Sequence, residues 1–202
     1  MRSVCLCGPL VECIEKLIGK RVGLFLTLSG LKSTKRSWHQ DFYLKTGYQN
    51  VDYCAVWIAI SDVHPDSGPY QFVPGTHRWG PLRRELIWDW LKAHQRDTPG
   101  ATRFAEKFVT DACMNKIRES NSTIKTHLPK RGDVLIWHHS LLHQGSMPRN
   151  PDLERPGLIS HYNSLHTLRL LGRPIARAEN GNYYVPRNDR DRIVEKRAQE
   201  QH

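Results

Sequence analysis

The chain has 202 residues with 39% hydrophobic and 25% charged side chains, ample for one domain with a substantial core. No apolar run is long enough to cross a bilayer, and the N-terminal MRSVCLCGPLVECIEK meets Glu12 and Glu15 too early to be a signal peptide. A net charge of +10 favours anionic partners, but the basic residues are scattered and lack interleaved aromatics, which argues against a nucleic-acid platform.

Five cysteines (Cys5, Cys7, Cys13, Cys54 and Cys113) form no regular framework, which predicts reduced thiols and a cytoplasmic protein. Cys5 and Cys7 read as a frayed N-terminal segment. Residues 9–19 place Leu10, Val11, Ile14, Leu17 and Ile18 at helical spacing, with Gly19 as the C-cap. Val22 to Leu28 is an apolar strand, followed by a basic loop from Ser29 to Ser37.

Next comes Trp38-His39-Gln40-Asp41. In an extended strand, side chains two apart share a face, so His39 and Asp41 point together and Gln40 points away. An imidazole and a carboxylate side by side can hold a divalent metal, and a second histidine would complete a facial triad of the non-haem Fe(II) kind.

Tyr53 to Ile60 is a continuous apolar run and predicts a buried strand. Tyr70 to Val73 is a short strand stopped by Pro74-Gly75, and Trp79-Gly80-Pro81 closes the meander. From Leu82 to Ser120 the period turns helical: Leu82, Leu86, Ile87, Trp90 and Leu91, then Phe104, Phe108, Ala112 and Ile117 after a break at Thr98-Pro99-Gly100. This helical insertion, residues 82–120, is expected to cover the site. Trp88, Trp90, Phe104 and Phe108 are candidate pocket walls, and Arg83, Arg84 and Arg103 candidate contacts for an anionic group. Helical spacing equally fits core packing for the aromatics, and solvated surface for the arginines.

Strand character returns at Thr123–His127, at Val134–His143 after the turn Lys130-Arg131-Gly132-Asp133, and at Gly157–Tyr162. Beyond Leu171 the chain reads as surface extension. One domain is therefore expected over residues 1–180, with a charged tail over 181–202. Short strands joined by turns, with one helical excursion, predict a mainly β sandwich or jelly roll.

A third metal ligand must come from a later strand. Among His127, His138, His139, His143, His161 and His166, His143 ranks first, because it closes an apolar run just before Gln144-Gly145-Ser146; His139 ranks second. An Fe(II) site with open positions calls for an electron-donating cosubstrate. For 2-oxoglutarate the distal carboxylate needs a fixed cation, best supplied by an arginine fork. Arg155 lies twelve residues after His143, at the start of the next strand; Arg149 is its rival.

Taken together, Trp38-His39-Gln40-Asp41, Val56–Ile60 with Asp66-Ser67-Gly68-Pro69, Val73-Pro74-Gly75-Thr76-His77, Gly132–Trp137, and Leu142-His143-Gln144-Gly145-Ser146 with Asn150, Arg155 and Tyr162 resemble the phytanoyl-CoA dioxygenase family of Fe(II)/2-oxoglutarate oxygenases. The resemblance covers roughly residues 10–165. It implies a double-stranded β-helix, a cupin-like jelly roll, with His39, Asp41 and His143 as catalytic iron ligands and Arg155 as the anchor of the 2-oxoglutarate distal carboxylate. It assigns Trp57 to the cosubstrate pocket, with Thr76 and Ser146 as further contributors.

The implied cofactors are Fe(II), 2-oxoglutarate and O2. The implied reaction is hydroxylation of a C–H bond in a small-molecule substrate, with an anionic one compatible with the charge, releasing succinate and CO2. Asp41 bears on the outcome, since related halogenases carry a small residue there. The sequence departs from the family in two places. Family members carry several dozen residues before the first helix seen here, and Gln144 stands where they often have glycine, shifting the serine by one. The alternatives are a catalytically inactive cupin-like binding module and a nucleic-acid demethylase. The latter would be expected to carry a second arginine six residues after Arg155, where this chain has His161.

Overall fold

The computed structural model describes residues 1–41, 52–80, 82–95 and 104–186. Several sequence expectations lie outside these residues: the loop after Asp41, Pro81, the Thr98-Pro99-Gly100 break, Arg103 and the last sixteen residues.

Two sheets carry the molecule. The larger holds β1 (Val22–Gly30), β2 (Tyr53–Ala59), β5 (Val134–His138), β7 (Gly157–Ser164), β8 (Ala176–Arg177) and β9 (Tyr183–Tyr184), in the order β5-β2-β7-β1-β9-β8. The smaller holds β3 (Tyr70–Phe72), β4 (Lys125–His127) and β6 (His143–Gly145), in the order β4-β3-β6. Apart from the parallel β1–β9 contact, every strand pair is antiparallel. The apolar run β2 and the mixed strand β7 sit near the centre of the sheet and pair in register from Tyr53–Asn163 to Ala59–Gly157. Glycine at 157 is a packing requirement: a β-carbon there would drive into the indole of Trp57.

Helix α2 (Gly8–Ile18) lays Leu10, Val11 and Ile14 on Val22, Leu24, Cys54, Val56 and Tyr162. It ends as the sequence predicts, with Gly19 at φ 73° and its N–H donating to the Glu15 carbonyl. The N-terminal segment is not frayed. Helix α1 (Arg2–Cys5) buries Cys5 and Leu6 in that same cluster, and the Tyr162 hydroxyl donates to the Cys5 carbonyl at 2.5 Å. The region after Leu171 also departs from expectation. Strand β9 joins the sheet beside β1, and the side-chain amides of Asn180 and Asn182 donate to the Leu6 carbonyl. Residues 181–186 are thus built into the fold instead of opening a solvated tail.

The expected insertion comprises α3 (Arg84–Ala93) and α4 (Glu106–Glu119). Ile87, Leu91, Ala105, Val109, Cys113 and Ile117 pack on Trp38, Val73 and Leu142. Trp88, Trp90, Phe104 and Phe108 pack against the same cluster, so their helical spacing reflects core building. A last helix, α5 (Leu165–Leu170), is capped by Ser164, whose hydroxyl accepts from the Thr167 N–H. Among the described residues, helix and strand take nearly equal shares of the chain. The β character predicted for the whole belongs to the scaffold that bears the site. No described helix is long and apolar enough to cross a membrane.

Candidate metal and cosubstrate site

His39 and His143 form an isolated antiparallel bridge, each N–H donating to the other's carbonyl at 3.0 Å. This pairing brings residues 104 positions apart in sequence into side-by-side register, with ring centroids 4.2 Å apart. Asp41 follows two residues after His39, where the chain turns; its N–H donates to the His139 carbonyl at 2.9 Å. The expected Val134–His143 strand breaks at His138. A turn closed by the Leu141 N–H on the His138 carbonyl lets β6 start anew and present His143. His139 contributes its backbone beside Asp41, and His143 is the histidine that joins His39 and Asp41 in one cluster.

The result is a cluster in which one atom each of His39, Asp41 and His143 lies within 4.8 Å of the others. Asp41 Oδ1 is 3.6 Å from the Nε2 of both imidazoles. His39 Nδ1 lies 2.7 Å from the Ser37 carbonyl and His143 Nδ1 lies 2.9 Å from the Leu141 carbonyl. A carbonyl only accepts, so both Nδ1 atoms carry the proton and both Nε2 lone pairs face inward. Trp137 Nε1 donates to Asp41 Oδ2 at 2.9 Å, leaving Oδ1 toward the histidines. These are the outer hydrogen bonds that fix ligand orientation at metal centres.

Burial, followed by the neighbouring His143, pushes the His39 imidazole down to about 4, so the neutral, ligating form prevails. Burial opposes charge on Asp41, but its place beside His143 and His39 outweighs it and holds the carboxyl well below its usual range. Two imidazoles and one carboxylate form a donor set that suits Fe(II).

Trp38 and Gln40 show why this stretch stays in register. Trp38 faces the helical core, and the Gln40 side chain points away from the triad. Its amide donates to the Ser140 carbonyl at 2.7 Å and the Gly80 carbonyl at 3.1 Å, while its oxygen accepts from the Leu82 N–H.

The triad opens on a cleft between the two sheets, lined by Leu28, Trp57 and Ile159 on one side and by Tyr70 and Gly145 on the other, with Arg155 and His161 among its walls. Arg155 is only 7% exposed, its guanidinium sits 5.3 Å from the Trp57 ring centroid, and Nε has no hydrogen-bond partner. Among the described residues it makes no ion pair with a carboxylate. Burial pushes its pKa down, a sign that the protein supplies little compensation. Arg149, the rival, is exposed and lies 3.5 Å from Asp66.

Of the other expected contributors, Trp57 lines the cleft; Thr76 and Ser146 do not. Thr76 is fully buried, donating to the Val73 carbonyl and accepting from the Leu142 N–H, so it braces the approach to His143. The Ser146 hydroxyl donates to the Pro69 carbonyl. The insertion contributes no lining residue among those described. It packs behind Trp38 and Leu142, the neighbours of His39 and His143, and so supports the ligands from the rear where a cover was expected. Arg83 is exposed beside Glu85, away from the cleft.

Sequence reasoning missed the roles of Trp137 and Tyr70. The first carried a signal: a buried indole N–H needs an acceptor, and the acidic member of a metal motif is one. The backbone carbonyls of Ser37 and Leu141 carry no signal in residue identity.

A carboxylate and two histidines on a β scaffold, beside a buried arginine, define the class of mononuclear metal site found in 2-oxoglutarate oxygenases. The chain belongs to the phytanoyl-CoA dioxygenase (PhyH) family, whose model matches residues 15–157. Iron and 2-oxoglutarate are the cofactors of this family, and the donor set and the uncompensated Arg155 fit them.

The fold is similar to that of EctD from S. alaskensis, solved with 2-oxoglutarate and 5-hydroxyectoine: 17% identity over 83% of this chain and 53% of that one, TM-score 0.57. It is also similar to SnoN, the non-haem alpha-ketoglutarate dependent epimerase of nogalamycin biosynthesis, at 19% identity over 81% of this chain and 56% of that one, TM-score 0.55. AviO1 from Streptomyces viridochromogenes is a third, at 18% identity over 81% and 61%, TM-score 0.53. The chain spans between half and two thirds of the length of these structures. No curated protein sequence matches it.

Proposed function

We propose that this chain is an Fe(II)/2-oxoglutarate-dependent hydroxylase acting on a C–H bond of a small molecule, within a double-stranded β-helix formed by the two sheets. The observation that carries this reading is the presence, in one cleft, of a complete, pre-oriented triad and of Arg155, a buried cation that makes no ion pair among the described residues. The cofactors supply the oxidising chemistry: O2 is consumed, 2-oxoglutarate is decarboxylated to succinate and CO2, and one oxygen atom converts the substrate C–H to an alcohol.

The protein's own part is positional. His39 and His143 offer fixed Nε2 lone pairs, and Asp41 offers Oδ1 with its second oxygen held by Trp137. Arg155 holds the distal carboxylate, and Trp57, Leu28 and Ile159 keep that end of the cleft dry. Asp41 fills the position that a halide would need, which supports hydroxylation. The intact donor set supports catalysis over a binding module. His161 stands where a demethylase would carry its second arginine, which speaks against a nucleic-acid substrate. The positive charge suits an anionic small molecule, and five free cysteines support a cytoplasmic setting.

The test is turnover with Fe(II), ascorbate and 2-oxoglutarate across a panel of candidate metabolites. Substrate-stimulated succinate with an oxygenated product is expected, and product analysis separates an alcohol from an epimer. Absence of succinate with every substrate, together with no calorimetric binding of 2-oxoglutarate, overturns the reading.

A further inference from the structure

Among the described residues, two buried polar side-chain atoms of the cleft walls lack a hydrogen-bond partner: Arg155 Nε and the Tyr70 hydroxyl. The first has been assigned above. The second has no structural explanation. Tyr70 is 7% exposed, and its ring stacks on His143 at 5.2 Å and 18° while lying 5.2 Å from Trp137. Packing therefore explains the ring and fixes its direction. It does not explain the oxygen, because an unsatisfied buried hydroxyl is destabilising where phenylalanine would fill the same space.

Strand register adds a second observation. Tyr70 lies opposite Gly145, which also lines the cleft and offers no side chain. The neighbouring Ser146 has turned its hydroxyl onto the Pro69 carbonyl. On this wall the phenol is a buried polar group left to meet a ligand, with the Thr34 hydroxyl beside Gly145 also lining the cleft. A phenol offers an O–H donor.

We infer that the Tyr70 hydroxyl donates a hydrogen bond to the distal carboxylate of 2-oxoglutarate, sharing that group with Arg155. The inference rests on the reading of Arg155 as the anchor. Tyr70 would thus be a specificity-determining residue that β3 supplies from beside β6.

The test titrates Fe(II)-loaded protein anaerobically with 2-oxoglutarate and with 2-oxopentanoate, which keeps the chelating end and lacks the second carboxylate. Affinity is read from the visible charge-transfer band and from calorimetry. Tyr70→Phe is expected to weaken 2-oxoglutarate about tenfold, as loss of a charge-assisted hydrogen bond should, and to leave 2-oxopentanoate unchanged. Its ligand-free melting temperature should equal or exceed that of the wild type. Unchanged 2-oxoglutarate affinity overturns the inference, as does equal weakening of both ligands, which would place the hydroxyl at the chelating end. A lower melting temperature overturns it too, by revealing a structural partner. Wild-type protein that binds neither ligand overturns the Arg155 reading itself; wild-type binding with an indifferent Tyr70→Phe overturns this inference alone.

Discussion

Trp137 and Asp41, 96 residues apart in sequence, meet through one hydrogen bond of 2.9 Å from the indole nitrogen to Oδ2, and that bond decides which carboxylate oxygen faces the histidines. Trp137→Phe keeps the apolar bulk and removes the donor. Outer hydrogen bonds of this kind are worth roughly 10–100-fold in metal affinity. The variant should fold normally and bind Fe(II) or Co(II) more weakly by about that factor, measured by competition with a chelating dye.

Asp41→Ala removes a ligand and leaves the backbone contacts of that residue in place. Succinate formation should vanish and tight metal binding with it, while circular dichroism stays that of the wild type. Full activity in this variant would mean that the metal is elsewhere.

Arg155→Met trades a buried, uncompensated cation for an apolar chain of similar length. Removing a lone buried charge relieves a desolvation cost, so the ligand-free protein should melt at the same temperature or higher. The wild type should gain about 2.7 kcal/mol when 2-oxoglutarate is present at a hundred times its Kd, and Arg155→Met should gain none at that concentration. Thermal melts of metal-loaded protein with and without 2-oxoglutarate read both effects.

Gly157→Ala places a methyl group against the Trp57 indole, between β7 and the cleft. Overpacking of this sort costs roughly 1–3 kcal/mol, and here it must displace a wall of the cosubstrate pocket. Both stability in urea and 2-oxoglutarate affinity should fall.

The five thiols should separate into two classes. Cys7 and Cys13 are exposed, while Cys5, Cys54 and Cys113 are buried. Burial pushes Cys54 and Cys113 from an ordinary 9.0 up to about 12. A native titration with Ellman's reagent at neutral pH should report two fast thiols, and five after unfolding. The sign for stability follows from proton binding. Between pH 9 and 12 the folded chain holds protons on these thiols that the unfolded chain has lost, so stability should be fully present below about 9 and decline as pH rises through that window. Replacing Cys54 with alanine should flatten part of the decline.

Strand β2 was legible in the sequence because burial on both faces leaves an unbroken apolar run, and β1 and β7 were legible from shorter apolar stretches, Val22–Leu28 and Leu158-Ile159. The histidine and carboxylate of the triad were legible because two-residue spacing has one meaning in extended chain. Elements set by tertiary contact were not. Helix α1 and strand β9 are a few residues each, too short for a period, and they exist because Cys5, Leu6 and the asparagine amides near the C-terminal end meet one another. The break between β5 and β6 needs the Leu142 N–H to find Thr76, a partner 66 residues away. Residues 82–120 showed their helices through periodicity, but periodicity names a buried face without naming what it rests on.

Trp38 and Leu142 point one way and His39 and His143 the other, so the two segments that carry the histidines act as a partition with the helical layer behind and the triad in front. A cavity opened at Ile87, Leu91 or Val109 would be felt across that partition as a loss of ligand alignment. Natural variation in the helices could therefore tune how firmly iron is held without touching the coordination shell.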